Sequence, residues 1–590
     1  MCGIYGITAR DPEFINQYIN KCKHRGPDGQ SVWHDDTVTL GHNLLSIMAD
    51  PSVSKQPWRT PKGNILTYNG EIFNYYELKE RYKNFKDTTG CDTELLAWGL
   101  DTYGLNFIDE IDSMHGFAYY DINKKEIILS RDHAGIKPVY YAETKEGLVF
   151  GSEIKGMLDK VPNSRTINKL AISCLAHTGI NVTRNTVFGN IKKLLAGETL
   201  IYDITNKKIK ERKRIFIKPI SNSKFDVAEF RSMAHNTVKM CSIGQRKIGV
   251  FLSGGLDSSL IAHELNKLMP PALTFTNKMN PNVVTEEDFN SDAIAAKKLA
   301  IIEGYNHNVV EITPTNMIEA WNDSIYFMEQ PMYNQSVSMY CHTNKVLHNH
   351  GVVVTMAGDM GDEILGGYPK YWKMTRRDYL RKQINKDSID CWGDVIDLWL
   401  LRIKRPLLLA DIGGTIDKEI IKEEMLKLYP DELWNPNDPI GSYMALDCIT
   451  QVPEEFFNRN DKFGMAYGME GRFPLATKMF MKYCMNIPSN EKIGQQKNDT
   501  KLLTKKAYKG FLPGHILNKM KTGWTVPIGY WLTMDMSKEI KDFYESQTGV
   551  INAHDNQAHL NIIKASQKAG KALMPAWIIN DWIKTYKIKI

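Results

Sequence analysis

The sequence has no apolar run of membrane-spanning length, so hydropathy gives no transmembrane helix. It has no long basic run, and a net charge of +6 is thin over 590 residues. A nucleic-acid-binding role is therefore not expected. The first residues lack a basic segment followed by an apolar one, so no secretory signal is expected. Nine cysteines are present: Cys2, Cys22, Cys91, Cys174, Cys241, Cys341, Cys391, Cys448 and Cys484. They never form C-x-x-C. Scattered and odd in number, they argue against a disulfide framework or a zinc site and fit a reducing cytoplasm. What remains is an ordinary soluble composition, 43% hydrophobic and 24% charged, with chain enough for several domains.

One stretch organises the chain. The apolar run Ile248 to Leu252 is bounded by turn signals and has no helical period, so it reads as a short buried strand. Ser253-Gly254-Gly255-Leu256-Asp257-Ser258-Ser259 follows. Apolar spacing from Leu256 to Leu268 predicts a helix opening at about Asp257. Strand, glycine turn and helix together let backbone N–H groups approach a phosphate. No lysine followed by a hydroxyl residue closes the loop, so this is not a Walker loop. An ordinary glycine turn before a capped helix is the plainer alternative. The loop resembles that of the N-type ATP pyrophosphatases, which split ATP into AMP and pyrophosphate while adenylating a substrate. The resemblance implies that Asp257 holds Mg²⁺.

The chain begins Met1-Cys2-Gly3-Ile4. With Met1 removed, Cys2 supplies both a thiol nucleophile and an α-amine base. Alone, this is as readily an incidental cysteine. It is followed by His24-Arg25-Gly26-Pro27-Asp28, Tyr68-Asn69-Gly70-Glu71, Gly90-Cys91-Asp92, Ser130-Arg131-Asp132-His133 and Phe150-Gly151-Ser152-Glu153. In order and spacing these resemble the class II glutamine amidotransferase domain. The resemblance implies that Cys2 attacks the glutamine amide and that the Asn69 side chain and Gly70 N–H form the oxyanion hole. Glu71 and Asp92 would hold the substrate α-amine. Asn69-Gly70 is also a tight-turn dipeptide, so a plain hairpin turn is the plainer alternative there.

Short turn-bounded strands are predicted at 37–40, 64–68, 116–121, 126–130, 139–141 and 148–151, and a helix at 94–103. Residues 205–226 are rich in Lys, Asn and Ser and read as a boundary. Beyond it, strands are predicted at 272–276 and 352–356, with a helix over 286–304. This alternation predicts a parallel sheet with ligands at the carboxyl ends of its strands.

After the second of these strands come Ala357-Gly358-Asp359-Met360-Gly361-Asp362-Glu363, then Asn460-Asp461-Lys462, Met469-Glu470-Gly471-Arg472, Lys501 and Lys521 to Pro527. Together they resemble the glutamine-hydrolysing asparagine synthetases, from Cys2 nearly to the last residue. The resemblance implies an α/β chain of two domains. Residues 2–207 would form an Ntn-hydrolase α-β-β-α sandwich, and residues 225–590 a parallel-sheet adenine-nucleotide domain. It implies ATP and Mg²⁺ as cofactors, with Asp257 and Asp362 on the metal. Phe251, Ser253, Gly254, Gly255, Ser258, Asn277, Ala357, Gly358 and Lys501 would join Asp257 at ATP, Lys501 against the departing pyrophosphate. Asp359 could take a proton from attacking ammonia. The expected partners are small molecules (aspartate, glutamine and ATP), with no nucleic acid and no membrane. A homodimer is the assembly to test.

Five positions depart from the family pattern. Leu44 stands for an arginine, Asp359 for the more common glutamate, Met360 for a glycine, Ala357 for a serine, and Asn277 for an apolar residue. The arginine at position 44 pairs with the glutamine α-carboxylate in the resembling family. Its loss predicts about 10- to 150-fold weaker glutamine binding, unless another cation substitutes. Alternatives remain open. An amidotransferase of the same architecture could use another carboxylate acceptor. A tRNA-modifying adenylating enzyme would share the loop but not need Cys2. A non-catalytic relative would not need Cys2, Asn69, Asp257 and Asp362 together.

Overall fold

Alternating apolar residues in short runs build two antiparallel sheets in the first third of the chain. The computed structural model describes residues 2–280, 286–332, 334, 336–401, 417–496, 499–520, 526 and 567–589. The strands are β1 (Gly3–Ile7), β2 (Gly29–His34), β3 (Thr39–Leu44), β4 (Trp58–Arg59), β5 (Ile65–Ile72), β6 (Ser113–Asp121), β7 (Glu126–Arg131), β8 (Tyr140–Glu143), β9 (Leu148–Gly151), β10 (Lys192–Lys193), β11 (Glu198–Asp203) and β12 (Lys208–Arg214). One sheet runs β10-β8-β9-β1-β3-β2 and the other β12-β11-β7-β6-β5-β4. Ile4, Leu40, Ala118, Leu129, Tyr141 and Phe150 are among the side chains packed between them. Helix Pro12–Lys21 packs on the first sheet and helix Asp92–Tyr103 on the second. The result is the expected α-β-β-α layering.

Two local expectations change. Asn69-Gly70 is not a hairpin turn. Both lie within β5, with Asn69 opposite Gly116 and Gly70 opposite His115. Pairing with β6 and burial outweigh the turn preference of the dipeptide. The glycine has a different use: a Cβ at Gly70 would stand 2.2 Å from the Met114 carbonyl oxygen. The Lys-rich start of 205–226 carries β12, which pairs with β11. It is an edge strand, and charged side chains suit an edge. Strands β1 and β2 had no distinct signal, and β3, β5 and β6 run longer than predicted.

The second half builds a five-stranded parallel sheet in the order β15-β14-β13-β16-β17. Its strands are β13 (Ile248–Phe251), β14 (Leu273–Met279), β15 (Asn306–Ile312), β16 (Val354–Met356) and β17 (Glu470–Arg472). Central β13 is buried throughout, as continuous apolar sequence requires in a sheet covered on both faces. Helices Leu256–Leu268 and Glu286–Glu303 make successive crossovers. The first opens one residue before the predicted start. No described helix is long and apolar enough to cross a membrane.

Buried ion pairs join the two halves. Arg25 grips Asp461 with both terminal nitrogens, at 2.8 and 3.2 Å, and its Nε donates to the Cys2 carbonyl at 3.1 Å. Lys462 pairs with Glu329, which also faces Lys155. Arg472, on edge strand β17, reaches Glu71 on β5 at 2.8 Å.

Candidate active sites

Cys2 directly precedes β1, which lies between β9 and β3. This puts it near the middle of its sheet, facing β5 across the sandwich. The Cys2 backbone N–H donates to Asn69 Oδ1 at 2.9 Å. Asn69 is fully buried, and its Nδ2 has no partner. An orphaned donor beside a nucleophile is what a developing oxyanion would use. Burial pushes the Cys2 thiol up, while the chain's amino group pulls it down.

A cavity of about 30 Å³ opens beside Cys2. Leu44, Gly70, Glu71, Asp92 and Glu470 line it, with Ser46, Ser54, Gln56 and Thr93. Asn69 touches Cys2 without lining this space. Asp92 starts its helix; its Oδ2 accepts from the Tyr68 hydroxyl and the Ile72 N–H, each at 3.0 Å. Burial nevertheless pushes its carboxyl up to about 6. Burial also pushes Glu71 up, against the pull of Arg472, and Glu71 Oε1 has no partner. The expected glutamine residues therefore come together. Leu44 is brought to the same pocket by β3.

The second site lies at the carboxyl ends of β13 and β16, around a cavity of about 390 Å³. The loop after β13 contributes Ser253, Gly255, Asp257 and Ser258; the loop after β16 contributes Ala357, Gly358, Asp359 and Asp362; Phe251 and Lys501 also line it. The Ser258 hydroxyl locks the first loop, accepting from the Ser253 N–H at 3.2 Å and lying 2.9 Å from the Ser253 hydroxyl. Lys501 Nζ stands between Asp257 and Asp362, 2.5 Å from each. Gly367 makes room for this cradle, since a Cβ there would come 1.9 Å from Asp362 and 2.4 Å from Lys501.

Two carboxylates from separate strand ends thus converge on one positive charge. Such hard oxygen donors suit Mg²⁺, which takes its other ligands from phosphate and water. Among the described residues, no cluster of three or more His, Cys, Asp or Glu could hold a metal by itself.

Two expected ATP residues lie off this cavity. Gly254 faces helix Glu286–Glu303, where a Cβ would meet the Asp292 carbonyl at 2.4 Å. Asn277 is buried on β14 and accepts from the Thr343 hydroxyl at 3.0 Å. Its Oδ1 is engaged by a neighbouring helix, while its buried Nδ2 has no partner. Apart from Val526, the stretch Lys521 to Pro527 lies outside the described residues.

Sequence reasoning missed several lining residues. Glu363 lines the large cavity, and burial with the Asp362 and Asp447 carboxylates pushes it up to about 8. Arg459 lines it too, its guanidinium 3.8 Å from the Tyr340 ring centre. Lys505 and Lys519 also border it. Glu470, from the far half of the chain, lines the small pocket. Glu470 and Arg472 are charges on a three-residue strand that is wholly buried, and buried charges need partners, but nothing local in the sequence ties Glu470 to Cys2.

The glutamine amidotransferase domain family matches residues 1–214, and the asparagine synthase family matches residues 229–583. Asparagine synthetase (glutamine-hydrolyzing) 1 of Bacillus subtilis (strain 168) is 27% identical, over 93% of this chain and 90% of that protein. Asparagine synthetase (glutamine-hydrolyzing) 3 of the same strain is 24% identical, over the whole of both. Asparagine synthetase B (glutamine-hydrolyzing) of Escherichia coli (strain K12) is 24% identical, over 92% of this chain and 84% of that protein.

Proposed function

The chain belongs to the asparagine synthase family, and on that premise we propose how its two sites divide the work. The enzyme converts aspartate to asparagine with ATP and takes the nitrogen from glutamine. At the first site, Cys2 with Met1 removed gives its thiol proton to its own α-amine. Sulfur bonds to the glutamine amide carbon, and the Asn69 Nδ2 and Gly70 N–H hold the oxyanion. The C–N bond breaks and the departing nitrogen takes the proton, leaving as ammonia. Water then splits the thioester to glutamate and frees the thiol. Glu71 and Asp92 hold the α-amine throughout.

At the second site, the aspartate β-carboxylate attacks the α-phosphorus of ATP, and the bond to pyrophosphate breaks. Ammonia then bonds to the β-carboxyl carbon (Cγ) of the aspartyl-adenylate, AMP leaves from that carbon, and Asp359 takes the surplus proton. The Ser253–Ser258 loop binds phosphate, and Lys501 neutralises the leaving pyrophosphate. Asp257 and Asp362 would hold Mg²⁺, which when bound would supply charge neutralisation on the phosphates.

The observation that carries this reading is the Asp257–Lys501–Asp362 cradle at the mouth of the parallel sheet. Pyrophosphate release with ATP, ammonium and single amino acids tests it. Aspartate should be the one that supports release; another carboxylate would favour an amidotransferase with a different acceptor. Two domains, 2–207 and 225–590, remain our division, with β12 joined to the first. A cytoplasmic setting fits thiols that are buried everywhere but at Cys391. A homodimer is our expected assembly, and light scattering on the purified chain tests it.

A further inference from the structure

The small pocket is unbalanced in charge for a zwitterion. Among the described residues that line it, three are carboxylates (Glu71, Asp92 and Glu470) and none is Lys, Arg or His. Free glutamine brings an ammonium and a carboxylate. The ammonium has its partners, including the buried and unpartnered Glu71 Oε1. Apart from the chain's amino group, which acts on Glu470 and Cys2, the α-carboxylate finds no side-chain cation among the described lining residues, and it would enter beside these acids and the apolar face of Leu44.

The guanidinium behind these acids is already committed. Arg472 donates from Nε to Glu470, from Nη1 to the Cys241 and Ile243 carbonyls, and from Nη2 to Glu71. It does not line the cavity. A buried, paired guanidinium does not leave two carboxylates to serve a third, since that would strand them uncompensated. The polar side chains opposite are also engaged: the Ser46 hydroxyl donates to the Ala49 carbonyl and that of Ser54 to the Asp50 carbonyl at 3.0 Å. Gln56 Oε1 accepts from the Tyr68 N–H at 2.7 Å, and its Nε2 donates to the Thr93 hydroxyl at 3.2 Å.

We propose that the nitrogen-donor pocket selects γ-carboxamides that keep a free α-amine but carry no free α-carboxylate. An N-terminal glutamine of a peptide and glutamine α-amide are members of that class. Free glutamine is accepted, but weakly. This rests on the glutaminase role assigned to Cys2. Masking the α-carboxyl removes one negative charge from a site that cannot balance it, while the ammonium, the γ-amide and Cys2 meet as before. The selection therefore acts on binding and not on the thiol chemistry.

Ammonia release by the full chain is measured at neutral pH with free glutamine, glutamine α-amide and the amidated dipeptide Gln-Gly-NH2. The two masked donors should each show kcat/KM at least about tenfold above glutamine, carried by KM, with kcat within about twofold. That ratio corresponds to one lost charge-assisted contact for the free acid. In L44R the order should reverse, with KM for glutamine falling about tenfold. Because the first comparison uses the unsubstituted protein, it stands even if L44R folds poorly. Equal kcat/KM for all three donors, or a preference for free glutamine, overturns the proposal and leaves the glutaminase role intact. No ammonia from any donor, in protein that still releases pyrophosphate with ammonium, overturns the glutaminase role itself.

Discussion

The glutamine pocket and the ATP cavity are built in opposite ways. The first is about 30 Å³ and is cut into the middle of an antiparallel sandwich. Its carboxylates sit on strands, at Glu71 and Glu470, and at a helix start, at Asp92, and all three are buried. The second, about 390 Å³, opens where a parallel sheet ends. There, loops and a helix start carry the polar groups, as at the carboxyl edge of other parallel sheets. In the first, uncompensated charge decides what may enter, since each carboxylate must find a partner in a dry space. In the second, opposite charges are already gathered around Lys501, ready to be redistributed when phosphate arrives. The two are not insulated. Arg25 ties the Cys2 carbonyl to Asp461 on the segment that lines the ATP cavity through Asn460. Arg472 ties Glu71 to β17, the neighbour of the strand that carries Asp359 and Asp362 at its end.

If the contrast is real, the sites should break separately. The largest effect is expected for Cys2→Ala. Removing the nucleophile should cut ammonia release from glutamine by about 10⁴-fold or more, measured with a coupled ammonia assay. Next is Asp257→Asn, which leaves Lys501 half-compensated and takes one carboxylate from the proposed Mg²⁺ site. Pyrophosphate release should fall by about 10³-fold with either nitrogen donor, a loss of the size seen when a buried charge loses its partner. Asn69→Ala removes one oxyanion donor and should lower kcat for glutamine by about 10²- to 10³-fold. KM should change little, because Asn69 does not line the pocket.

The smallest effect is a pH dependence. Asp92 is pushed up to about 6 by burial. It must be ionised to hold an ammonium, so KM for glutamine should rise about tenfold between pH 7 and pH 5. The sign for stability is the reverse. A carboxyl raised by folding binds more protons folded than unfolded between about pH 4 and 6, so its contribution to stability falls as pH rises through that window. Asp92→Asn should flatten both trends. The KM profile from pH 5 to 7.5 checks the first, and thermal midpoints over pH 4 to 7 the second.

Much of the ATP site was legible because strand, glycine turn and helix are local in sequence. Ile248 to Ser259 could be read alone, and the structure starts the helix within a residue of the expected place. Asp257 and Asp362 were each recognisable after a buried strand. Their meeting at Lys501 was not, because it depends on how remote segments pack. Gly254 and Asn277 show the limit. Both sit in the right stretch, but a residue's neighbours decide whether it faces the cavity or a helix. The glutamine side was less local. Asn69-Gly70 carries a turn signal that pairing with β6 overrides, and its proposed function follows from what faces it across the sandwich. Glu470 had no local signal for a glutamine pocket about 470 residues away from Cys2 in sequence. Only the docking of β17 against the sandwich puts it there.

The central claim is that one chain holds two chemistries that can be separated. The direct measurement is a paired assay of two folded variants, Cys2→Ala and Asp257→Asn. Ammonia release from glutamine and ammonium-supported pyrophosphate release are followed in each. Cys2→Ala should lose the first and keep the second within about twofold; Asp257→Asn should do the opposite. Loss of both activities in either variant, with the fold intact by circular dichroism, would contradict the account.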